Sequence, residues 1–279
     1  MAIYVTSDAH GHVCALDEAL SKISLTSDDT LYVLGDMIDR GPDPVGVIKL
    51  VRSLPNARVL KGNHEQIMLD AIIGQDPLDA ETWDINGGWT TRQQLNDMEF
   101  EAYEELVRWM ATLPLYAVVE TAERPFLLVH AGIQTEAARA FLLEHGVDCA
   151  DGGGAVDADG ELLQQMLAVQ SSDDLLWIRH GYWDAPTGLL SAEGKGPVVV
   201  SGHTPTVSLG RYCEVGGLAG LDEESGRGQI VRLGGEDTAG VPVRIDIDGA
   251  AATGSEFGRV GILRLDDGAE FYANIQPGE

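Results

Sequence analysis

Ile3-Tyr4-Val5-Thr6-Ser7-Asp8-Ala9-His10 is a short apolar run that ends in a carboxylate and an imidazole two residues apart. Four further runs repeat the design. Leu31-Tyr32-Val33-Leu34 leads into Gly35-Asp36, and Ala57-Arg58-Val59-Leu60 leads into Gly62-Asn63-His64-Glu65. Phe126-Leu127-Leu128-Val129 leads into His130, and Pro197-Val198-Val199-Val200 leads into Gly202-His203. Short β-branched runs of this kind read as buried strands. In open α/β sheets, ligands gather beyond the carboxyl ends of the strands. Five strand ends therefore aim two Asp, one Asn and at least three His at one place. That set of oxygen and nitrogen donors suits a two-metal hydrolytic site.

Helical patterns lie between the early runs. Val13, Leu16, Leu20 and Ile23 fall at helical spacing. Asp43-Pro44 reads as an N-cap followed by proline in the first helical position, before Val47, Ile48, Val51 and Leu54. Residues 65–73 read as a third helix stopped at Gly74, and Phe100, Tyr103, Leu106, Val107 and Met110 mark a fourth before Pro114. Strand–helix alternation predicts a largely parallel sheet at this end. Later strands at 126–129, 197–200, 243–247, 259–264 and 270–275 have fewer helices between them, with helices at 135–145 and 160–169. The fold class that holds both patterns is α/β (α+β), a four-layer αββα sandwich of mixed sheets.

The 279 residues read as one domain over 1–279, with loop-like segments at 146–160 and a loop insertion at about 208–242. Asp157-Ala158-Asp159-Gly160 looks like a calcium loop but lacks its first acid and its bidentate glutamate, so it reads as a flexible turn. The net charge is -27, which disfavours binding to nucleic acid. Three scattered cysteines, Cys14, Cys149 and Cys213, suit a reducing compartment. The chain enters a strand at once and has no bilayer-length apolar stretch. The expectation is a cytoplasmic protein with no membrane partner; the oligomeric state is open.

If the chain stays extended after the first strand, Asp8 and His10 share a face and can bind one ion. The two oxygens of Asp36 can bridge two ions. Asn63 offers a carbonyl oxygen, and His130 and His203 offer imidazoles. This mixture favours manganese, iron or zinc over calcium. Each residue alone has a plainer reading, since Asp or Asn after a strand is commonly an N-cap or turn former. Their joint occurrence favours the metal site.

These motifs resemble those of the PPP family of metal-dependent phosphoprotein phosphatases. The resemblance rests on Asp8-Ala9-His10-Gly11, Gly35-Asp36-Met37-Ile38-Asp39-Arg40-Gly41, Gly62-Asn63-His64-Glu65, His130-Ala131-Gly132 and Gly202-His203-Thr204-Pro205. Asn86-Gly87-Gly88-Trp89 and Trp177-Ile178-Arg179 are similar to the small bacterial and phage members. The resemblance covers roughly 1–210 and about 243–275.

It implies a calcineurin-like metallophosphoesterase sandwich and two divalent ions, most often manganese, with iron or zinc as alternatives. Asp8 and His10 would hold the first ion, Asp36 would bridge, and Asn63, His130 and His203 would complete the second. Asn63 would also face the phosphate, which Arg40 and Arg179 would clamp. His64, oriented by Asp39, would protonate the leaving group. The implied activity is hydrolysis of phosphoserine or phosphothreonine monoesters, with phosphotyrosine as a further substrate, by direct attack of a metal-bridging hydroxide. The implied partners are phosphorylated proteins or peptides, and the acidic chain suggests basic flanks around the phosphosite.

Two other readings stand beside this one. Symmetrical dinucleoside tetraphosphate hydrolases resemble the same framework, with an apolar residue at the position of Asp39 and Asp at that of Glu65. A non-catalytic phosphopeptide-binding scaffold is the third. For Asp39 the plainer reading is an ion pair with Arg40 or a turn-stabilising carboxylate. His12, His145 and His180 receive no role, and Trp83, Trp89 and Trp109 belong to the core or to the cleft border.

Overall fold

In the computed structural model, which describes residues 1–74, 76–149, 152–213 and 220–279, ten strands form two five-stranded sheets. The first contains β1 (Ile3–Thr6), β2 (Thr30–Val33), β3 (Ala57–Val59), β9 (Arg259–Arg264) and β10 (Glu270–Asn274), in the order β10-β9-β1-β2-β3. The second contains β4 (Tyr116–Glu120), β5 (Pro125–Val129), β6 (Val198–Ser201), β7 (Val231–Leu233) and β8 (Arg244–Asp246), in the order β4-β5-β6-β8-β7. The trio β1, β2, β3 is parallel, and so is the trio β5, β6, β8. Each remaining strand runs antiparallel to its neighbour.

Side chains alternate across a strand, so one run can feed two cores. Ile3 and Val5 pack between the sheets, whereas Tyr4 faces the helices. Phe126, Leu128, Val198 and Val200 enter the same inter-sheet core, whereas Leu127, Val129 and Val199 face the opposite helical layer. Strands buried on both faces carry unbroken apolar runs, which is why these stretches show no polar alternation. Helices α1 (Val13–Ser21), α2 (Pro44–Ser53), α3 (Asn63–Ile73) and α6 (Phe100–Ala111) pack in the core beside the first sheet. Helices α7 (Thr135–Glu144) and α8 (Gly160–Ala168) pack in the core beside the second. The result is the four-layer αββα arrangement of mixed sheets.

Local sequence sets the helix ends. The Asp43 side chain accepts from Gly46 N at 2.9 Å, with Pro44 opening α2. Asp159 caps α8 by accepting from Leu162 N at 2.8 Å, so Asp157-Ala158-Asp159-Gly160 leads into a helix. Two short helices, α4 (Leu78–Ile85) and α5 (Trp89–Asn96), were not legible as periodic patterns. α4 buries only Trp83, and two of the three residues that α5 buries are threonines. A third, α9 (Ser172–Trp177), precedes Arg179.

The stretch 208–242 is not wholly a loop, which corrects that expectation. β7 lies within it and pairs antiparallel with β8, because Val231 faces the apolar core despite its glycine-rich surroundings. Ile230 enters the inter-sheet core, and Asp222 pairs with Arg259 at 3.3 Å. Residues 214–219 of this stretch, and 150–151 of the stretch 146–160, lie outside the described residues. Among the described residues, no helix is long and apolar enough to cross a membrane.

Leu128 is fully buried between the sheets, whereas Leu143 is 62% exposed on α7. Replacing Leu128 with Ala is expected to lower unfolding free energy by about 2–5 kcal/mol. The Leu143→Ala change should stay within about 0.5 kcal/mol. Equal losses in denaturant titrations would contradict the inter-sheet core.

Candidate metal centre

The loops beyond β1 and β2 are zipped together by main-chain bonds. Asp8 N donates to Gly35 O at 3.1 Å, His10 N to Asp36 O at 2.9 Å and Gly11 N to Met37 O at 2.9 Å. Gly202 N donates to His130 O at 2.8 Å, which ties the ends of β5 and β6. The chain does not stay extended after β1. Asp8 (φ 54°) and His10 (φ 43°) are left-handed, as are Asp36 (φ 50°), Asp39 (φ 67°), Arg40 (φ 68°) and His203 (φ 66°). Six of the nine such non-glycine residues among those described are candidate site residues, so backbone strain concentrates here. Close approach also demands glycine. A Cβ on Gly62 would lie 2.2 Å from Asp36 Oδ1, and one on Gly35 would lie 2.3 Å from Gly62 N.

The imidazoles are oriented from behind. His10 Nδ1 lies 3.0 Å from Ile38 O, and His130 Nδ1 lies 2.7 Å from Leu34 O. A carbonyl only accepts, so each Nδ1 carries the proton and each Nε2 presents a lone pair to the interior. His10 Nε2 lies 3.6 Å from Asp36 Oδ2, and His130 Nε2 lies 3.6 Å from Asp36 Oδ1. Asn63 Oδ1 sits 2.8 Å from both His130 Nε2 and His203 Nδ1. Asp8 Oδ2 accepts from His203 N at 3.0 Å.

Among the described residues, two groups of ligand atoms result, each within 4.8 Å: His10, Asp36 and His64, and then Asp36, His130 and His203. Asp36 belongs to both. Asp8 Oδ1 and His203 Nε2 are buried without a hydrogen-bond partner. Orphaned donors of this kind, in a set of carboxylate, amide and imidazole, fit divalent cations. Between Asp8 and His64 as the remaining ligand beside His10, we favour Asp8. His64 Nδ1 is engaged by Asp39 Oδ2 at 2.8 Å and its Nε2 by Arg40 Nη2 at 3.1 Å, whereas Asp8 Oδ1 is free.

Burial shapes the titration. It pushes Asp36 well above the usual carboxylate range, and the nearby Asp8 and Glu65 carboxylates add to it. Burial also holds His10, His64 and His203 well below the usual imidazole range, helped by neighbouring cationic groups. Neutral imidazoles keep their lone pairs available for a cation.

The phosphate-binding candidates border this cluster. Arg40 lies beside His64, and Arg179 Nη2 donates to His203 O at 3.0 Å with its Nε buried and unpartnered. Asp39 is fully buried and bonds His64 rather than forming an ion pair with Arg40, and burial pushes its pKa up to about 6. The structure thus brings together Asp8, His10, Asp36, Asn63, His130 and His203, with the His64–Asp39 pair and both arginines beside them. His12 is buried nearby, whereas His145 closes α7 and His180 stacks edge-on against Tyr212. Trp83 belongs to the core and Trp89 is exposed.

Two features escaped the reading of the sequence. Glu65 ties the loops after β2 and β3 together. Its Oε2 accepts from Asp36 N (2.8 Å) and Gly62 N (2.9 Å), and its Oε1 accepts from Met37 N (2.9 Å). Asp246 and Asp248, at the end of β8, are buried near Asp8; burial pushes both well above the usual carboxylate range, and the Asp8 carboxylate adds to it. The signal was present, because Ile245-Asp246-Ile247-Asp248 places two acids at and just beyond the carboxyl end of a strand.

Comparison with known proteins places the chain in a family. The profile of the calcineurin-like phosphoesterases matches residues 1–221. A symmetrical bis(5'-nucleosyl)-tetraphosphatase of Erwinia tasmaniensis is 32% identical over 136 residues, 48% of this chain and 45% of the relative. One from Salmonella paratyphi C is 32% identical over 135 residues, 48% of this chain and 44% of the relative. The chain thus matches less than half the length of these curated relatives. Among solved structures, a candidate diadenosine tetraphosphatase superposes with TM-score 0.56 at 18% identity, over 99% of this chain and 95% of the other. A metallophosphoesterase from Sphaerobacter thermophilus gives TM-score 0.50 at 17% identity, over 99% and 88%. These structural likenesses concern the fold.

Because Asp36 lies in both ligand groups, Asp36→Asn is expected to weaken binding of both ions, whereas His203→Ala should release one. Metal counting after dialysis checks this. An unchanged count in Asp36→Asn would remove the bridging role.

Proposed function

The chain belongs to the calcineurin-like phosphoesterase family, and from that premise we propose that it is a metal-dependent phosphoprotein phosphatase acting on serine and threonine phosphomonoesters. The observation that carries this reading is the buried His64–Asp39 pair, with Nδ1 2.8 Å from Oδ2. A serine or threonine alkoxide is a poor leaving group and needs a proton as its bond to phosphorus breaks. Two divalent ions, manganese in this proposal, would supply water of lowered pKa and charge for the phosphate oxygens.

The chain's own residues do the rest. Asp8, His10, Asp36, Asn63, His130 and His203 would hold the ions. Arg40 and Arg179 pair with phosphate oxygens through their forked donors and stabilise charge in the transition state. Arg40 Nη2 is 3.1 Å from His64 Nε2, a contact that suits a neutral imidazole. A phosphate would draw Arg40 onto its oxygens and leave Nε2 free to take a proton from water, with the phosphate's negative charge offsetting the burial that keeps the imidazole neutral. Asp39 holds Nδ1–H, so the Nε2 proton points at the departing oxygen.

The net charge of -27 supports substrates with basic flanks. The site itself is positive once two divalent ions and two arginines are counted, so a phosphate can still approach.

A second reading is a symmetrical dinucleoside tetraphosphate hydrolase. It is favoured by the 32% identity to such enzymes over about half of this chain. Its less basic leaving group has less use for an acid, and Asp39 and Glu65 depart from the pattern of those hydrolases. The phosphoprotein reading therefore stands first.

With Mn²⁺ present, kcat/KM should be higher on phosphoserine and phosphothreonine peptides than on a dinucleoside tetraphosphate. The reverse order would give the assignment to the second reading. In addition, His64→Asn is expected to cost about 10²–10⁴-fold in kcat on a phosphoserine peptide and less on an aryl phosphate. Similar losses on both substrates would end the general-acid role.

A further inference from the structure

Asp39 is held by more than its histidine. Trp83 Nε1 donates to both carboxylate oxygens, at 3.1 Å each, and Thr91 Oγ1 donates to Oδ1 at 2.5 Å. The same hydroxyl accepts from Asp39 N at 2.9 Å, which closes a small ring between side chain and main chain. With His64 Nδ1 on Oδ2, the carboxylate has donors on both oxygens and little freedom to turn. Trp83 and Thr91 come from α4 and α5, two short helices that bury few apolar residues.

The turn between them is built to seat the donors. A Cβ on Gly88 would lie 2.2 Å from Trp83 Cδ1, so only glycine lets the indole lie flat there. Gly88 N donates to Trp83 O at 2.9 Å. Gly87 O accepts from Arg40 N at 3.0 Å, which holds the strained residue next to Asp39. Asn86-Gly87-Gly88 therefore joins the indole donor to the backbone of the acid pair. Trp83 is 3% exposed and Thr91 fully buried, so water does not compete for these bonds.

We infer that Trp83 and Thr91 are positioning residues, which lock the Asp39 carboxylate and through it aim His64 at the leaving group. This rests on the general-acid reading of His64 proposed above. Both residues bond Asp39 and act through it. Their effect is on the protonation of the departing oxygen, so it should depend on how much proton that oxygen needs.

The test uses the full chain loaded with Mn²⁺, a phosphoserine peptide and p-nitrophenyl phosphate. Trp83→Phe keeps the ring and removes the N–H, and Thr91→Val keeps the shape and removes the hydroxyl. Each is expected to lower kcat on the peptide by about 10- to 100-fold. The loss on p-nitrophenyl phosphate should be smaller, with KM within about twofold on both. Thr91→Ser, which retains the hydroxyl, should recover most of the rate. Adding Trp83→Phe to His64→Asn should cost nothing more, because the acid is already gone.

Equal losses on the two substrates in both Trp83→Phe and Thr91→Val, or a further loss in the double variant, would overturn the inference. The two failures are separable. If His64→Asn alone shows no difference between substrates, the general-acid reading fails. If His64→Asn shows the difference and Trp83→Phe and Thr91→Val do not, only the positioning role fails.

Discussion

A single buried carboxylate, Asp36, faces two groups of nitrogen donors at once, and the surrounding loops are arranged to meet that demand. It follows β2 of the first sheet and meets side chains from the ends of both sheets. His10 approaches from β1, and His130 and His203 approach from β5 and β6. A carboxylate in this position is costly to bury, and burial drives it toward its neutral form. A cation reverses that preference. The cluster is therefore built to be completed by positive charge.

Holding Asp36 there shapes the main chain around it. Glu65 accepts three backbone N–H groups, one of them from Asp36 itself. Gly62 makes room beside Asp36 Oδ1, and Gly35 makes room for Gly62. Left-handed backbone at Asp8, His10, Asp36, Asp39, Arg40 and His203 costs of order 1–3 kcal/mol at each position. The inter-sheet core and the zipped loops have to bear that strain. A second support system, Trp83 and Thr91, secures Asp39, which lies three residues from Asp36 along the same loop.

Much of this was legible in the sequence because two rules coincide. Strands buried on both faces appear as unbroken apolar runs, and parallel strands deliver the residues that follow them to a common edge. Leu31 to Asp36 and Phe126 to His130 show both rules at once. The fold and the six candidate ligands follow from them. What escaped the reading lacked a periodic signal. α4 and α5 bury one apolar residue each, Trp83 and Leu95, and they are tied by hydrogen bonds to Asp39 and Arg40 rather than marked by an apolar stripe. β7 has three residues and is defined by its pairing with β8. The left-handed turn at Asp8 and His10 was also hidden, because either residue can sit in extended or left-handed backbone. Asp246 and Asp248 obeyed the strand-end rule, but their strand was read only as sheet.

The shared role of Asp36 is tested most directly by the anomalous scattering of Mn²⁺ in a crystal of the intact chain. Two peaks are expected on either side of the Asp36 carboxylate. One should touch Asp8 and His10, and the other Asn63, His130 and His203. A single peak, or ions held by Asp246 and Asp248 with Asp36 uninvolved, would contradict the account.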